Sequence, residues 1–180
     1  MFRHIIFKLV ATSCLGFAFI ASVARADTVK TSGDLLQILM PAATVGLLWH
    51  EQDGDGLWQF GKSELVTIGA TEVLKVGVNA QRPNGNGKHS FPSQHASMTF
   101  ASAQFLEQRY GSSYGIPAYV LASYTAWSRV DSKQHHWRDV VAGAAIGMGS
   151  SYYFTESKDR SLAIQPEGAK SWMVSYRQRW

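Results

Sequence analysis

The sequence predicts an all-α, single-domain bundle of about five helices that ends in a short strand or ordered tail. A length of 180 residues gives room for one domain with a core of its own. Hydrophobic residues make up 46% and charged residues 17%, which excludes a disordered chain. Four or five apolar segments of helical length follow one another without an internal repeat. The mean hydropathy of -0.11 favours a soluble or surface-associated globule over a protein buried in lipid along most of its length.

The N-terminus has the pattern of a secretory signal peptide. A charged start is followed by an apolar stretch from Leu9 to Val23 and by the small-residue site Ala24-Arg25-Ala26. We therefore expect residues 1–26 to be a signal peptide, with export to the periplasm and a mature domain at 27–180. An uncleaved membrane anchor is the alternative, although the apolar stretch is short for a spanning helix.

Loss of the signal peptide changes the charge balance. It removes Arg3, Lys8 and Arg25 and no acidic residue, so 14 basic and 13 acidic residues remain. A net charge of +1 gives no reason to expect a nucleic-acid partner. The one cysteine, Cys14, also lies in the signal, so the mature chain has neither a disulfide nor a thiolate metal ligand.

Two helices are predicted in the first half of the mature chain. The first runs from about Asp34 to His50, and Pro41 should kink it or split it. Asp53-Gly54-Asp55-Gly56 then predicts a turn, because the further ligand positions of a calcium loop are missing. The second helix runs from about Lys62 to Asn79 and stops before Pro83.

Three more helices are predicted in the second half. They run from Ser93 to about Tyr110, from Pro117 to about Trp127, and from about His135 to Phe154. Within the last one, Gly143 and Gly147 leave a flat face against which another helix can pack closely.

The C-terminal segment has the alternating pattern of a strand. Trp172, Val174 and Tyr176 occur at even spacing, and Trp180 follows after an interruption. We expect an edge strand or an ordered tail there.

Two groups of residues have the composition of an anion site. Lys75 and Arg82 are seven apart, which on one helix places them two turns along the same face, about 10 Å apart at 1.5 Å per residue. Ser93 is placed to cap the third helix, where free N–H groups attract anions, and His95 lies in its first turn. Taken singly, each group has a plainer interpretation, as a solvated basic face or as a simple helix cap.

A third group combines a histidine with a carboxylate. His135 and Asp139 are four apart, so on a helix the carboxylate can orient the imidazole. Such a pair also occurs in metal sites and as a purely structural hydrogen bond. A zinc site lacks support here, because the mature chain has no cysteine and no second His or Glu pair at suitable spacing.

Together the three groups resemble the signature of the type 2 phosphatidic acid phosphatase family, which includes bacterial acid phosphatases and vanadium haloperoxidases. That signature is Lys, six residues, Arg-Pro; then Pro-Ser-Gly-His; then Ser-Arg, five residues, His, three residues, Asp. The segments Lys75–Pro83 and Ser128–Asp139 match the first and third parts fully. The second part departs once, with Gln94 in place of glycine. The resemblance covers about residues 54–154.

The resemblance implies an all-α phosphatase without a metal or other cofactor. In the family, the histidine matching His135 attacks phosphorus and forms a phosphohistidine, the aspartate matching Asp139 orients it, and the histidine matching His95 protonates the leaving alcohol. The residues that would hold the phosphoryl oxygens are Lys75, Arg82, Ser93, Gln94 through its backbone, and Arg129.

The substrate class stays open at this level. A phosphomonoester or a pyrophosphate is expected, on a small molecule or on a lipid headgroup, with association at a membrane surface in the second case. The alternatives are a phosphotransferase that uses the same intermediate, a vanadate-dependent haloperoxidase, and a non-catalytic anion-binding protein.

Overall fold

The computed structural model of the chain describes residues 27–158, 160–166 and 172–178, with side chains as far as residue 158. Five helices account for most of it, so the all-α prediction is confirmed. They are α1 (Asp27–His50), α2 (Gly54–Val78), α3 (Gln94–Tyr110), α4 (Ser112–Asp131) and α5 (Trp137–Phe154). The predicted signal peptide at residues 1–26 lies outside the described residues.

Helix α1 is longer than predicted and passes through Pro41 without a break. The expected split was wrong because buried residues on both sides of the proline hold the helix to the bundle. Met40, Thr44 and Leu48 are all buried at a spacing of four, so one continuous stripe faces the core. Within the part of the chain that the structure describes, α1 is the one helix long and apolar enough to cross a membrane by length and composition.

Helix α2 begins eight residues before the predicted Lys62, at Gly54. The Asp53 side chain accepts a hydrogen bond from the Gly56 backbone N–H (2.9 Å), and this capping bond starts the helix inside the segment predicted as a turn. The turn itself is shorter and lies at residues 51 and 52. Helix α2 ends at Val78, where Asn79 adopts a left-handed conformation with φ of 48°.

The remaining helices differ from the prediction mainly at their starts. Helix α3 begins at Gln94 with Ser93 as its N-cap and ends at Tyr110, as expected. Helix α4 begins at Ser112 rather than at Pro117, because the Gly111 carbonyl already accepts from the Gly115 backbone N–H (3.1 Å) and starts the helix earlier; Pro117 therefore lies inside it. Helix α5 begins at Trp137, which leaves His135 in the preceding loop.

Helix α3 lies at the centre and packs against α2, α4 and α5. The close contact with α5 depends on the two predicted glycines. A methyl group at Gly143 would collide with the Ser93 carbonyl oxygen, and one at Gly147 would collide with the Ser97 carbonyl oxygen. The prediction of a flat glycine face is confirmed, and it draws the N-terminal ends of α3 and α5 together.

The opposite end of the bundle is closed by a buried ion pair. Arg109, near the end of α3, donates to the Asp53 carboxylate through Nε (2.8 Å) and Nη2 (2.5 Å), and the Tyr110 hydroxyl donates to the same carboxylate (2.8 Å). Burial raises the pKa of Asp53, but the hydrogen bonds from Arg109 and from the Gly56 backbone outweigh it and lower the pKa to about 2.

Two strands follow the helices. Strand β1 (Arg160–Pro166) pairs antiparallel with β2 (Trp172–Gln178), with Ala163 opposite Ser175 near the middle of the register. A strand therefore lies where the alternating aromatic pattern predicts one.

Candidate active site

The three sequence groups meet at one end of the bundle. The C-terminal ends of α2 and α4 and the N-terminal ends of α3 and α5 all lie there. The Ser93 backbone N–H donates to the Asp139 carbonyl (2.9 Å), which joins the start of α3 to the start of α5. Side-chain hydrogen bonds connect the other residues of the three groups.

His135 is held by a backbone carbonyl. Its Nδ1 lies 2.7 Å from the carbonyl oxygen of Ser90, so Nδ1–H donates there and Nε2 keeps its lone pair. The residue is buried, and its pKa is lowered to about 4 by burial first and by Arg82 and His95 next, against the Ser90 hydrogen bond and the Asp139 charge. A neutral imidazole with a free Nε2 lone pair is the form that a nucleophile requires.

Asp139 acts on His135 mainly through Ser90, which differs from the prediction. The two residues are not on one helix, because His135 precedes α5; its Nδ1 lies 3.9 Å from Asp139 Oδ2, within ion-pair range but too far for a direct hydrogen bond. Instead, Asp139 Oδ2 accepts from the Ser90 hydroxyl (2.6 Å) and from the His136 backbone N–H (2.9 Å). Burial raises the pKa of Asp139, but these hydrogen bonds outweigh it, so the carboxylate is ionised.

His95 lies in the first turn of α3, as predicted, and contacts a residue that the sequence did not single out. Its Nε2 lies 2.8 Å from Asp34 Oδ1 on α1 and 3.3 Å from Arg129 Nη1. Burial lowers the pKa of His95 to about 4, with Arg129 as the next cause, while Asp34 raises it.

Arg129 is buried behind these groups, with 1% of its side chain exposed. Nη1 donates to Asp34 Oδ1 (2.5 Å), Nε donates to the Ser128 hydroxyl (3.1 Å), and Nη2 donates to the Lys30 carbonyl. The guanidinium can therefore contact a phosphoryl oxygen only by exchanging one of these partners.

Lys75 and Arg82 do not share a helix face, because α2 ends at Val78 and Arg82 lies in the following loop. The same-face prediction was wrong, but both side chains still point toward the site. Lys75 Nζ donates to Gln94 Oε1 and to Glu72 Oε1, each at 3.1 Å. Arg82 Nη1 donates to Gln134 Oε1 (3.0 Å), one residue before His135.

Ser93 and Gln94 form the start of α3 in ordinary helix geometry. The Ser93 hydroxyl accepts from the Ala96 backbone N–H, so it acts as the N-cap. Gln94 is the first helical residue and needs no glycine-specific backbone. Its side chain is engaged with Lys75, and the preceding Phe91–Pro92 peptide is cis.

Sequence reasoning missed three residues of the site: Asp34, Ser90 and Gln134. A carboxylate at the head of an apolar helical stretch was the available signal for Asp34. Ser90 and Gln134 lie in loops beside the motifs, and their roles depend on contacts that spacing does not encode.

Comparison with known protein families identifies the family of the chain. The family model described as the PAP2 superfamily matches residues 56–162, which is more than half of the chain. The chain belongs to the PAP2 superfamily. This is the type 2 phosphatidic acid phosphatase family that the motifs resemble, so that prediction is confirmed.

Two curated relatives and one solved structure extend the comparison. The chain is 35% identical over 83 residues to a lipid A 1-phosphatase of Porphyromonas gingivalis, covering 44% of this chain and 19% of that protein. It is 32% identical over 110 residues to lipid phosphate phosphatase 2 of Arabidopsis thaliana, covering 53% of this chain and 34% of that protein. The chain thus spans about a fifth of the first relative and about a third of the second.

The crystal structure of Aquifex aeolicus LpxE superposes with a TM-score of 0.64 at 17% identity, covering 72% of this chain and 84% of that one. At that identity the likeness shows a shared fold. The match covers most of this helical bundle.

Proposed function

We propose that this PAP2 protein is a phosphatase that removes a phosphate group from a lipid headgroup through a phosphohistidine on His135. The observation that carries the proposal is the meeting of two histidines and three cations at one end of the bundle. Both curated relatives are named as phosphatases of lipid phosphates, which supports the same substrate class.

The nucleophile is Nε2 of His135. With Nδ1–H donating to the Ser90 carbonyl, the Nε2 lone pair attacks phosphorus and a P–N bond forms as the P–O bond to the alcohol breaks. The partly positive ring that results is stabilised by the nearby Asp139 carboxylate, 3.9 Å from Nδ1. Water then attacks phosphorus, the P–N bond breaks, and inorganic phosphate leaves.

The proton donor is His95. The leaving alkoxide takes a proton from its imidazolium, and the neutral ring later takes a proton from the attacking water. Its position in the first turn of α3 places it next to the backbone N–H groups around Gln94 that can bind phosphoryl oxygens.

Charge stabilisation comes from protein cations, and we propose that no metal is needed. Lys75 and Arg82 each have a neutral side-chain amide partner, which a phosphate oxygen can replace at little cost, while Lys75 keeps its ion pair with the exposed Glu72. Arg129 joins them if a phosphoryl oxygen replaces the Lys30 carbonyl. Phosphoryl transfer depends mainly on such positioning and electrostatic stabilisation.

A lipid substrate is favoured over a soluble one by the exposed surface of the helices. Large apolar side chains on α1, α2, α4 and α5 face outward, which is unusual for a monomeric soluble protein. Trp49 and Tyr153 are each 80% exposed and Trp58 is 70% exposed, and all three lie at the end of the bundle opposite the site. Exposed aromatic residues at helix ends are typical of contact with lipid headgroups.

We place the protein on the periplasmic side of the envelope, in contact with the membrane. The signal-peptide pattern and the apolar exterior support this location. Cell fractionation should find the protein in the membrane fraction, released by detergent and not by high salt. Release into the soluble periplasmic fraction by osmotic shock alone would contradict membrane contact.

The reaction is tested with the purified full chain in detergent. Phosphate release from a lipid phosphomonoester should exceed release from a soluble alkyl phosphate, persist with a chelator present, and fall with vanadate. Rapid quench into alkaline detergent, which preserves the acid-labile P–N bond, should trap a phosphorylated protein from a substrate labelled in its phosphate group. His135→Ala should give no such label.

His136→Ala is the matched control, because His136 contributes its backbone N–H to Asp139 and is the neighbouring imidazole. Label on His135→Ala, or none on His136→Ala, would contradict the assigned nucleophile. Activity that chelation removes and a divalent metal restores would contradict metal independence.

A further inference from the structure

A single carboxylate oxygen on α1 joins two groups of the active site. Asp34 Oδ1 lies 2.8 Å from His95 Nε2 and 2.5 Å from Arg129 Nη1. None of the three signature motifs contains Asp34, and the family match begins only at residue 56. The contact therefore brings to the site a group that the signature does not supply.

The backbone of α1 is shaped to keep this contact. A methyl group at Gly33 would collide with the Ser128 hydroxyl and with Arg129 Nη2, so glycine is needed for α1 to approach α4. The Lys30 carbonyl accepts from Arg129 Nη2 one turn before Asp34. The Lys30 hydrogen bond, the close approach at Gly33 and the Asp34 ion pair together fix the position of the carboxylate relative to His95.

The surroundings of His95 otherwise disfavour its charged form. Arg129 from α4 and Lys75 from α2 both face it, and His135 lies on the loop before α5. Burial adds to their effect, and the carboxylate that opposes them is Asp34. A group that must carry a proton to the leaving alcohol needs such a partner.

We propose that Asp34 is the positioning residue of His95, holding its Nε2–H and leaving Nδ1 to exchange the proton with the leaving group. The inference rests on the proposed phosphatase reaction. Among the contacts of the described residues, Nδ1 of His95 has no hydrogen bond, whereas Nε2 is held. When the P–O bond breaks, Nδ1–H passes to the alkoxide oxygen, and the ring becomes the neutral tautomer that still donates from Nε2 to Asp34.

The first test compares Asp34→Asn with wild type on two leaving groups. With an alkyl phosphate, kcat should fall roughly 10- to 100-fold and the alkaline limb of the pH profile should move to lower pH, because His95 loses its proton more easily. With an activated aryl phosphate, whose leaving group departs as the anion, kcat should fall less than about threefold. Asp131→Asn is the matched control, since Asp131 is an exposed carboxylate on α4 two residues from Arg129.

The second test asks whether Asp34 acts through His95. In a His95→Ala background, Asp34→Asn should change neither the rate nor the pH profile further. An equal loss in both backgrounds would overturn the inference and assign Asp34 to Arg129. A gain in vanadate affinity in Asp34→Asn with an unchanged pH profile would also overturn it, and would show that the carboxylate competes with phosphate.

A third measurement does not depend on turnover. The pKa of His95, followed by NMR of labelled histidine, should fall in Asp34→Asn and also in Gly33→Ala, which keeps the carboxylate but pushes α1 away. An unchanged His95 pKa in Asp34→Asn would overturn the inference. If wild type released no phosphate from any substrate while the NMR shift was present, the proposed function would fail and the Asp34–His95 pairing would stand.

Discussion

Each of the two histidines of the site has a carboxylate partner, and the two pairs are connected in different ways. His135 meets Asp139 through Ser90, which offers its carbonyl to the ring and its hydroxyl to the acid. His95 meets Asp34 directly. In the proposed reaction, the first arrangement leaves the Nε2 lone pair of His135 for attack on phosphorus, and the second holds the proton that His95 would release.

The opposed protonation needs of the two histidines predict a leaving-group-dependent pH optimum. His135 must be neutral and is so above its lowered pKa of about 4. His95 must be protonated, and its lowered pKa means that this form is lost as pH rises. Alkyl phosphates should therefore show an optimum roughly one unit or more below that of aryl phosphates, measured as kcat/KM against pH. Identical profiles for the two substrate types would contradict His95 as the proton donor.

Gln94 occupies one donor of Lys75 Nζ, which predicts the effect of restoring the family's glycine. Gln94→Gly removes this neutral partner and leaves Nζ paired with the exposed Glu72, so KM for phosphate substrates should fall about two- to fivefold because one donor is then open to a phosphoryl oxygen. Gln94→Ala removes the amide with less change to the helix start and should behave alike. A loss of kcat/KM beyond tenfold in both variants would show that the glutamine itself binds substrate.

At the scale of the helices, the close packing of α3 and α5 decides whether the motifs meet. Gly143 lies against the Ser93 carbonyl, at the point where the start of α3 reaches α5. Because interiors are close-packed, an added methyl group moves backbone rather than filling space.

Gly143→Ala should cost about 1–3 kcal/mol of unfolding free energy and lower kcat, since it separates Ser93 and His95 from Asp139. Gly149→Ala is the matched control on the same helix, because no atom lies near its added methyl group. That variant should be neutral or stabilised by up to about 1 kcal/mol, as alanine is the better helix former. Chemical unfolding and steady-state rates together check both, and equal behaviour of the two variants would contradict the packing argument.

The sequence predicted the existence of the helices better than the positions of their ends. The centres of all five helices and the glycine face were found, because apolar spacing reports which side is buried. The ends depend on single contacts: the Asp53 cap starts α2 early, and the late start of α5 puts His135 in a loop. The motif residues were found from their resemblance to a family, whereas Asp34 and Ser90 were not, since their importance lies in distances across the fold.

At the scale of the whole molecule, the buried Asp53–Arg109 pair ties the turn between α1 and α2 to the end of α3. Arg109 also donates to the Glu156 carbonyl (2.9 Å), so the end of α5 is held by the same side chain. The pair lies at the opposite end of the bundle from the active site, and it should affect stability more than catalysis.

Asp53→Asn should lower the unfolding free energy at pH 7 by about 3–5 kcal/mol, because Arg109 is left buried without its counter-charge. The pKa of Asp53 in the folded protein, about 2, lies below the ordinary aspartate value of 3.8. Its contribution of roughly 2 kcal/mol is therefore present above about pH 4 and lost as pH falls toward 2. Urea unfolding at pH 7 and at pH 3 should show a difference in unfolding free energy between wild type and variant, and this difference should be smaller at pH 3.

Asp55→Asn provides the comparison, since Asp55 is exposed in the first turn of α2. It should change stability by less than about 1 kcal/mol at either pH. A gap for Asp53→Asn that stays constant between the two pH values would contradict the lowered pKa.

The contact between Asp34 and Arg129 joins residues 95 apart in the chain, and that between Lys30 and Arg129 joins residues 99 apart. Contacts of such long sequence separation form late, because most of the intervening chain must first be brought into place. During synthesis, α1 emerges long before α4. Asp34 can therefore pair with Arg129 only after the central helices have been made. A chain that has only α1 to α3 contains both His95 and Asp34, but it lacks Arg129, the second partner of that carboxylate. The enzyme's competence is thus tied to completion of the fold.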